Sequence, residues 1–104
     1  MSNVEDHVQS IAKTLSEGFG EELNQDGEAF SAFDYLQDAL DIEYIVNSKR
    51  EYLGARVLVA FGGPNIWVNT RTGTVEGHWW GDSATASFTD AIGLDDALSE
   101  LFNC

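Results

Sequence analysis

Ile42-Glu43-Tyr44-Ile45-Val46 and, after a polar break, Tyr52-Leu53-Gly54-Ala55-Arg56-Val57-Leu58-Val59-Ala60-Phe61 decide the fold. In the first run Ile42, Tyr44 and Val46 alternate with Glu43, Ile45 and Asn47, a period of two that belongs to a half-buried strand. The second run is rich in Val and Leu, with Arg56 breaking one face. Asn47-Ser48-Lys49-Arg50 between them supplies a polar turn. Gly62-Gly63-Pro64-Asn65, which holds the only proline, ends the second run. A third strand is predicted over residues 66–70. Arg71-Thr72-Gly73 closes a tight hairpin, and residues 74–80 make the fourth strand. Gly81-Asp82-Ser83-Ala84 breaks the pattern. Connections this short force neighbouring strands to run antiparallel.

Upstream of the sheet the period changes to that of a helix. Val4, Val8, Ile11 and Leu15 form one apolar stripe, with Ser2 or Asn3 as cap and Gly18 and Gly20 as stop signals. Residues 21–27 are polar and acidic and read as a loop. A second helix is expected over residues 28–40, with Phe30, Phe33, Leu36, Ala39 and Leu40 turned inward. Downstream, a last helix from about Thr89 carries Ala91, Leu94, Leu98, Leu101 and Phe102 on its apolar side. One face of the sheet must be covered, and the helices are the available cover. The expectation is a single α+β domain over residues 1–104. It comprises two N-terminal helices, a four-stranded antiparallel β-sheet and a C-terminal helix, packed as a two-layer sandwich.

The 104 residues are 43% hydrophobic and 12% aromatic, enough apolar material for one core. Cys104 is the lone cysteine and cannot staple the fold. The N-terminus has neither a basic segment nor an apolar run, and no stretch approaches the roughly 20 apolar residues of a membrane helix. A cytoplasmic protein without membrane association is expected.

Eighteen Asp and Glu oppose five Lys and Arg, for a net charge of −13. Such a charge repels nucleic acid and anionic lipid, so direct nucleic-acid binding is not expected, whereas a basic protein partner would be drawn in. The charge is uneven: residues 1–45 carry −10, residues 46–81 carry +2 and residues 82–104 carry −5. On a helix over 28–40, Asp34, Asp38 and Asp41 share one face. Extended by Glu28 or Glu43, they form a rail whose spacing of about 6 Å is close to that of phosphates along a nucleic-acid strand. A rail of this kind would dock on the Lys and Arg of a nuclease as a DNA mimic. A solvated, purely solubilising acidic face is the competing interpretation.

Residues that carry chemistry are sparse. His7 and His78 lack Cys or Asp at metal-ligand spacing, Cys104 has no base nearby in sequence, and Gly62-Gly63-Pro64 lacks the lysine and helix of a phosphate loop. No enzymatic activity, metal or cofactor is expected. Alternation around Asn65-Ile66-Trp67-Val68-Asn69 turns Trp67 outward, along with His78 and Trp80 of the next strand, while Ile66, Val68, Val75 and Trp79 face the core. Exposed tryptophans suit a binding hot spot or a homodimer contact. They could equally stack on each other across the strands.

Gly62-Gly63-Pro64-Asn65-Ile66-Trp67-Val68-Asn69-Thr70 and Trp79-Trp80-Gly81-Asp82-Ser83-Ala84 resemble small acidic proteins carried on phages and conjugative elements of Gram-positive gut bacteria. The resemblance implies an antagonist of host defence, anti-CRISPR or anti-restriction in kind. The expected partner is then a basic nucleic-acid-handling protein, a CRISPR effector nuclease or a restriction enzyme. The candidate contacts are Glu28, Asp34, Asp38, Asp41, Glu43, Trp67 and Trp80. The alternative is a small adaptor or structural protein that homodimerises through the Trp-bearing sheet face.

Overall fold

The structure, a computed structural model, describes residues 3–104, with side chains from residue 4 onward. Three helices and five strands follow in the order α1 (Asn3–Glu17), α2 (Ala32–Gln37), β1 (Asp41–Val46), β2 (Tyr52–Ala60), β3 (Asn65–Asn69), β4 (Thr74–Trp79), β5 (Asp82–Ser87) and α3 (Leu94–Phe102). The strands form one antiparallel meander in the order β1-β2-β3-β4-β5. Ser2, one of the two expected caps of α1, lies outside the described residues.

Two expectations need correction. The sheet has five strands, because Asp82–Ser87 pairs with β4 along its whole length, from Trp79↔Asp82 to Thr74↔Ser87. That segment lacks the large β-branched and aromatic residues that announce a strand, yet it alternates. Ala84 and Ala86 face the helices, while Ser83, Thr85 and Ser87 are exposed. Small inward residues bring α1 close, and the polar outward row suits an edge strand. The second correction is the expected helix over 28–40, of which only residues 32–37 are helical. Leu23 and Ala29 instead form an isolated antiparallel bridge, and Asp41 already belongs to β1. The apolar residues beyond this short helix did not all turn inward: Leu36 is buried, but Phe33 and Leu40 are 41% and 60% exposed.

Register decides which side of the sheet is covered. Ile42, Val57, Val68, Val75 and Ala86 line up across all five strands. Val57, Val68 and Val75 are fully buried, and α1 lies over β4 and β5 while α3 lies over β2. A Cβ on Gly77 would stand 2.6 Å from a Cγ2 of both Val4 and Val8. Helix α1 therefore crosses β4 at the one residue without a side chain. Val4, Val8 and Leu15 of the predicted stripe are fully buried, each worth about 1.5–3 kcal/mol of transfer free energy. At the other side of the helix layer Tyr44, Tyr52 and Phe102 pack ring to ring, with centroids 5.2–6.4 Å apart. Tyr52 Oη donates to Asp95 Oδ1 at 2.7 Å. All three helices lie on one face, so the layer order is helices, sheet, solvent. No helix of the described residues is long and apolar enough to cross a membrane.

Candidate functional site

The expected rail of carboxylates is not a rail. Asp34 sits at the third position of α2, where it completes a capping box with Ser31. Its Oδ2 accepts from the Ser31 backbone N–H at 2.8 Å, from the Ser31 hydroxyl at 2.9 Å and from the Asn24 amide at 3.2 Å. The Ser31 backbone donor, followed by its hydroxyl and the Asn24 amide, holds the Asp34 carboxyl below the usual carboxylate range. Asp38 is the C-cap of the same helix, and Asp41 accepts from the Ile42 N–H at the start of β1. Glu28 lies in the loop that Asn24 organises, its backbone N–H donating to Asn24 Oδ1. Asp26, absent from the expected set, does meet Asp34 and Asp38 around a recess of about 240 Å³. Its neighbours Asn24 and Gly27 gave the turn away, but only the isolated bridge folds that loop back onto α2.

Glu43, two residues on from Asp41 in β1, has a different role. It points to the solvent side of the sheet, where its Oε1 accepts from Arg56 Nη1 at 2.8 Å. The Arg56 guanidinium in turn lies 4.3 Å from the Trp67 ring centroid, a cation–π contact. Trp67 thus faces outward as expected but carries an arginine lid. The cross-strand pairing Glu43↔Arg56 makes the ion pair readable in hindsight. Half-exposed on both sides, it contributes little to stability by itself.

Trp80 occupies neither a strand nor a stack. Strand β4 ends at Trp79, and Trp80-Gly81 is a two-residue turn with φ 54° and 84°, closed by the Trp79↔Asp82 pair. Positive φ at both central residues is the pattern of a type I′ hairpin, for which Asn-Gly is the favoured sequence. Trp80 is one of two non-glycine residues with positive φ among those described, the other being Arg50. Holding a side chain there costs about 1–2 kcal/mol. Its indole is 90% exposed. Of the two readings of these tryptophans, the cross-strand stack is not found among the described residues: Trp67 lies under Arg56 and Trp80 sits in the turn. At the same end of the sheet Phe61, which sequence reasoning left in a strand, is 71% exposed ahead of Gly62. A shallow cleft of about 430 Å³ joins the β2–β3 and β4–β5 turns, with Asn65, His78, Trp80, Asp82 and Ser83 around it.

Grouped by element, the charge divides along the same line as by chain segment, though less sharply. The sheet and its turns, residues 41–87, carry five carboxylates against four bases, for −1; the remainder carries thirteen against Lys13 alone, for −12. Within the sheet, Lys49, Arg50 and Arg71 lie in the β1–β2 and β3–β4 turns, at the end opposite Trp80. Among the described residues no group of three or more His, Cys, Asp or Glu is arranged to hold a metal ion, and Cys104 is exposed and free. The chain matches no family model, no curated protein and no solved structure.

Proposed function

We propose that this protein is a non-enzymatic inhibitor that binds a basic nucleic-acid-handling protein of host defence, a CRISPR effector nuclease or a restriction enzyme. The observation that carries this reading is the part of the chain outside the sheet, the helices with the loops that join them, where thirteen carboxylates face one lysine. A surface of this sign attracts the Lys and Arg that otherwise hold phosphates, speeds encounter, and excludes the substrate by occupying its place. The carboxylates come from several segments rather than one helical rail. Mimicry here is of the charge of nucleic acid, not of its regular spacing. The likeness of residues 62–70 and 79–84 to small acidic proteins of phages and conjugative elements supports a host-defence target. The homodimer reading has one feature in its favour, the uncovered sheet face, but Trp67 on that face is already capped by Arg56.

DNA cleavage by purified CRISPR effectors and restriction enzymes of Gram-positive bacteria, with this protein in molar excess at low and high salt, tests the reading. The expected result is loss of cleavage by at least one enzyme, fading as salt rises. If every enzyme cleaves at its full rate at low salt and none binds, the reading is wrong.

A further inference from the structure

We infer that the Trp80 end of the sheet is where the chain docks on its partner, and that it does so by receiving an arginine side chain. This rests on the reading of the partner as a basic protein and adds the place and chemistry of contact. Asn or Gly would fill the turn without strain, so a tryptophan there loses backbone energy and exposes its indole. Neither loss is offset within the fold, since Trp80 makes no ring contact or hydrogen bond to another described residue. Observed strain at an exposed hot-spot residue type points to a use outside the chain.

The surroundings select the occupant. The bases of the sheet are at the far end or, in the case of Arg56, already shared between Glu43 and Trp67. At this end Asp82, two residues on from Trp80, lines the same cleft. An aromatic face with a carboxylate beside it is the arrangement that accepts a guanidinium, stacked on the ring and paired at its edge. The molecule makes the same pairing internally, with Arg56 between Trp67 and Glu43. Asn65, Ser83 and the open glycine turn leave room for the rest of the incoming side chain.

A synthetic arginine-only peptide, with a lysine-only peptide of equal length as control, probes the site by NMR of the three indole N–H groups. The expected result is movement of the Trp80 signal with Trp67 and Trp79 unmoved, and tighter binding of the arginine peptide. Trp80→Asn and Trp80→Gly, both suited to the turn, should keep or raise the thermal midpoint while weakening peptide binding about tenfold at near-physiological salt. Unchanged affinity in these variants, or peptide binding that leaves the Trp80 signal unmoved, would overturn the inference. So would self-association of the chain through Trp80 without peptide. The two readings fail separately. Arginine docking at Trp80 with no nuclease inhibited removes only the proposed function. Inhibition by native and Trp80→Asn protein alike removes only the docking site.

Discussion

Gly77 has no side chain because Val4 and Val8 occupy the space one would need. Gly77→Ala should therefore cost about 1–3 kcal/mol, read as a lower urea midpoint, and it should loosen α1 before the rest of the fold. At the other side of the core, burial first, and then the Asp95 carboxylate, raise the Tyr52 phenol above its usual range; burial raises Tyr35 in the same direction. A phenol whose folded pKa is raised stabilises fully below its unfolded pKa of about 10 and loses that contribution as pH climbs beyond it. The urea midpoint should fall steeply above about pH 10, and Tyr52→Phe should flatten that fall. A midpoint equally steep in the variant would rule out Tyr52 as its source. Much at this scale was legible. Ile66, Val68 and Val75 are buried as alternation requires, and Trp67 faces out. Trp80 was assigned to the outward face and instead belongs to a turn, because Trp-Gly is a rare filling for a turn normally announced by Asn-Gly.

Elements were legible where their periodicity was long and their residues large. Helix α1 and strands β2 to β4 fall within a residue or two of their expected bounds. Strand β5 was missed because Ser, Ala and Thr alternate without the bulk that marks a strand. Helix α2 was overextended because five apolar residues between positions 30 and 40 satisfy a helical stripe, while Ser31 begins the helix later and Asp38 ends it sooner. Six residues are far too few for a helix to persist alone, so α2 depends on its cap and on buried Ala32 and Leu36. Ser31→Ala should cost about 1 kcal/mol and speed hydrogen exchange across residues 32–37 without slowing it elsewhere. A protein indifferent to that change would show that packing alone holds the helix. Helix α3 also starts later than expected. Asp90, which a helix from Thr89 would have contained, reaches past the left-handed Gly93 to accept from the Leu94 and Asp95 N–H groups at 2.8 Å and clamps the helix from outside.

For the whole molecule, the dominant fact is that the helices and their connecting loops carry −12 against −1 on the sheet and its turns. Like charges gathered on one layer repel, and salt shortens their reach to about 10 Å at 0.1 M. Stability should accordingly rise as sodium chloride is added from low to moderate concentration, with the urea midpoint moving up, while affinity for a basic partner moves down. A midpoint independent of salt would mean that the carboxylates are too dispersed to feel one another. The two-layer α+β plan was legible in composition and period. That the acid lies mainly outside the sheet was legible as well; what was not is that β1 begins at Asp41 and that Asp82 opens a fifth strand, which together bring the sheet to −1. The packing of α1 has a further consequence for the order in which the protein is made. Helix α1 is translated before the strands it covers, β4 and β5, and the backbone oxygen of Leu15 accepts from Ala91. Its docking site therefore does not exist until β4 and β5 have been translated. The nascent helix must wait with its valines uncovered, and a transcript broken before β5 yields a product that cannot close its core.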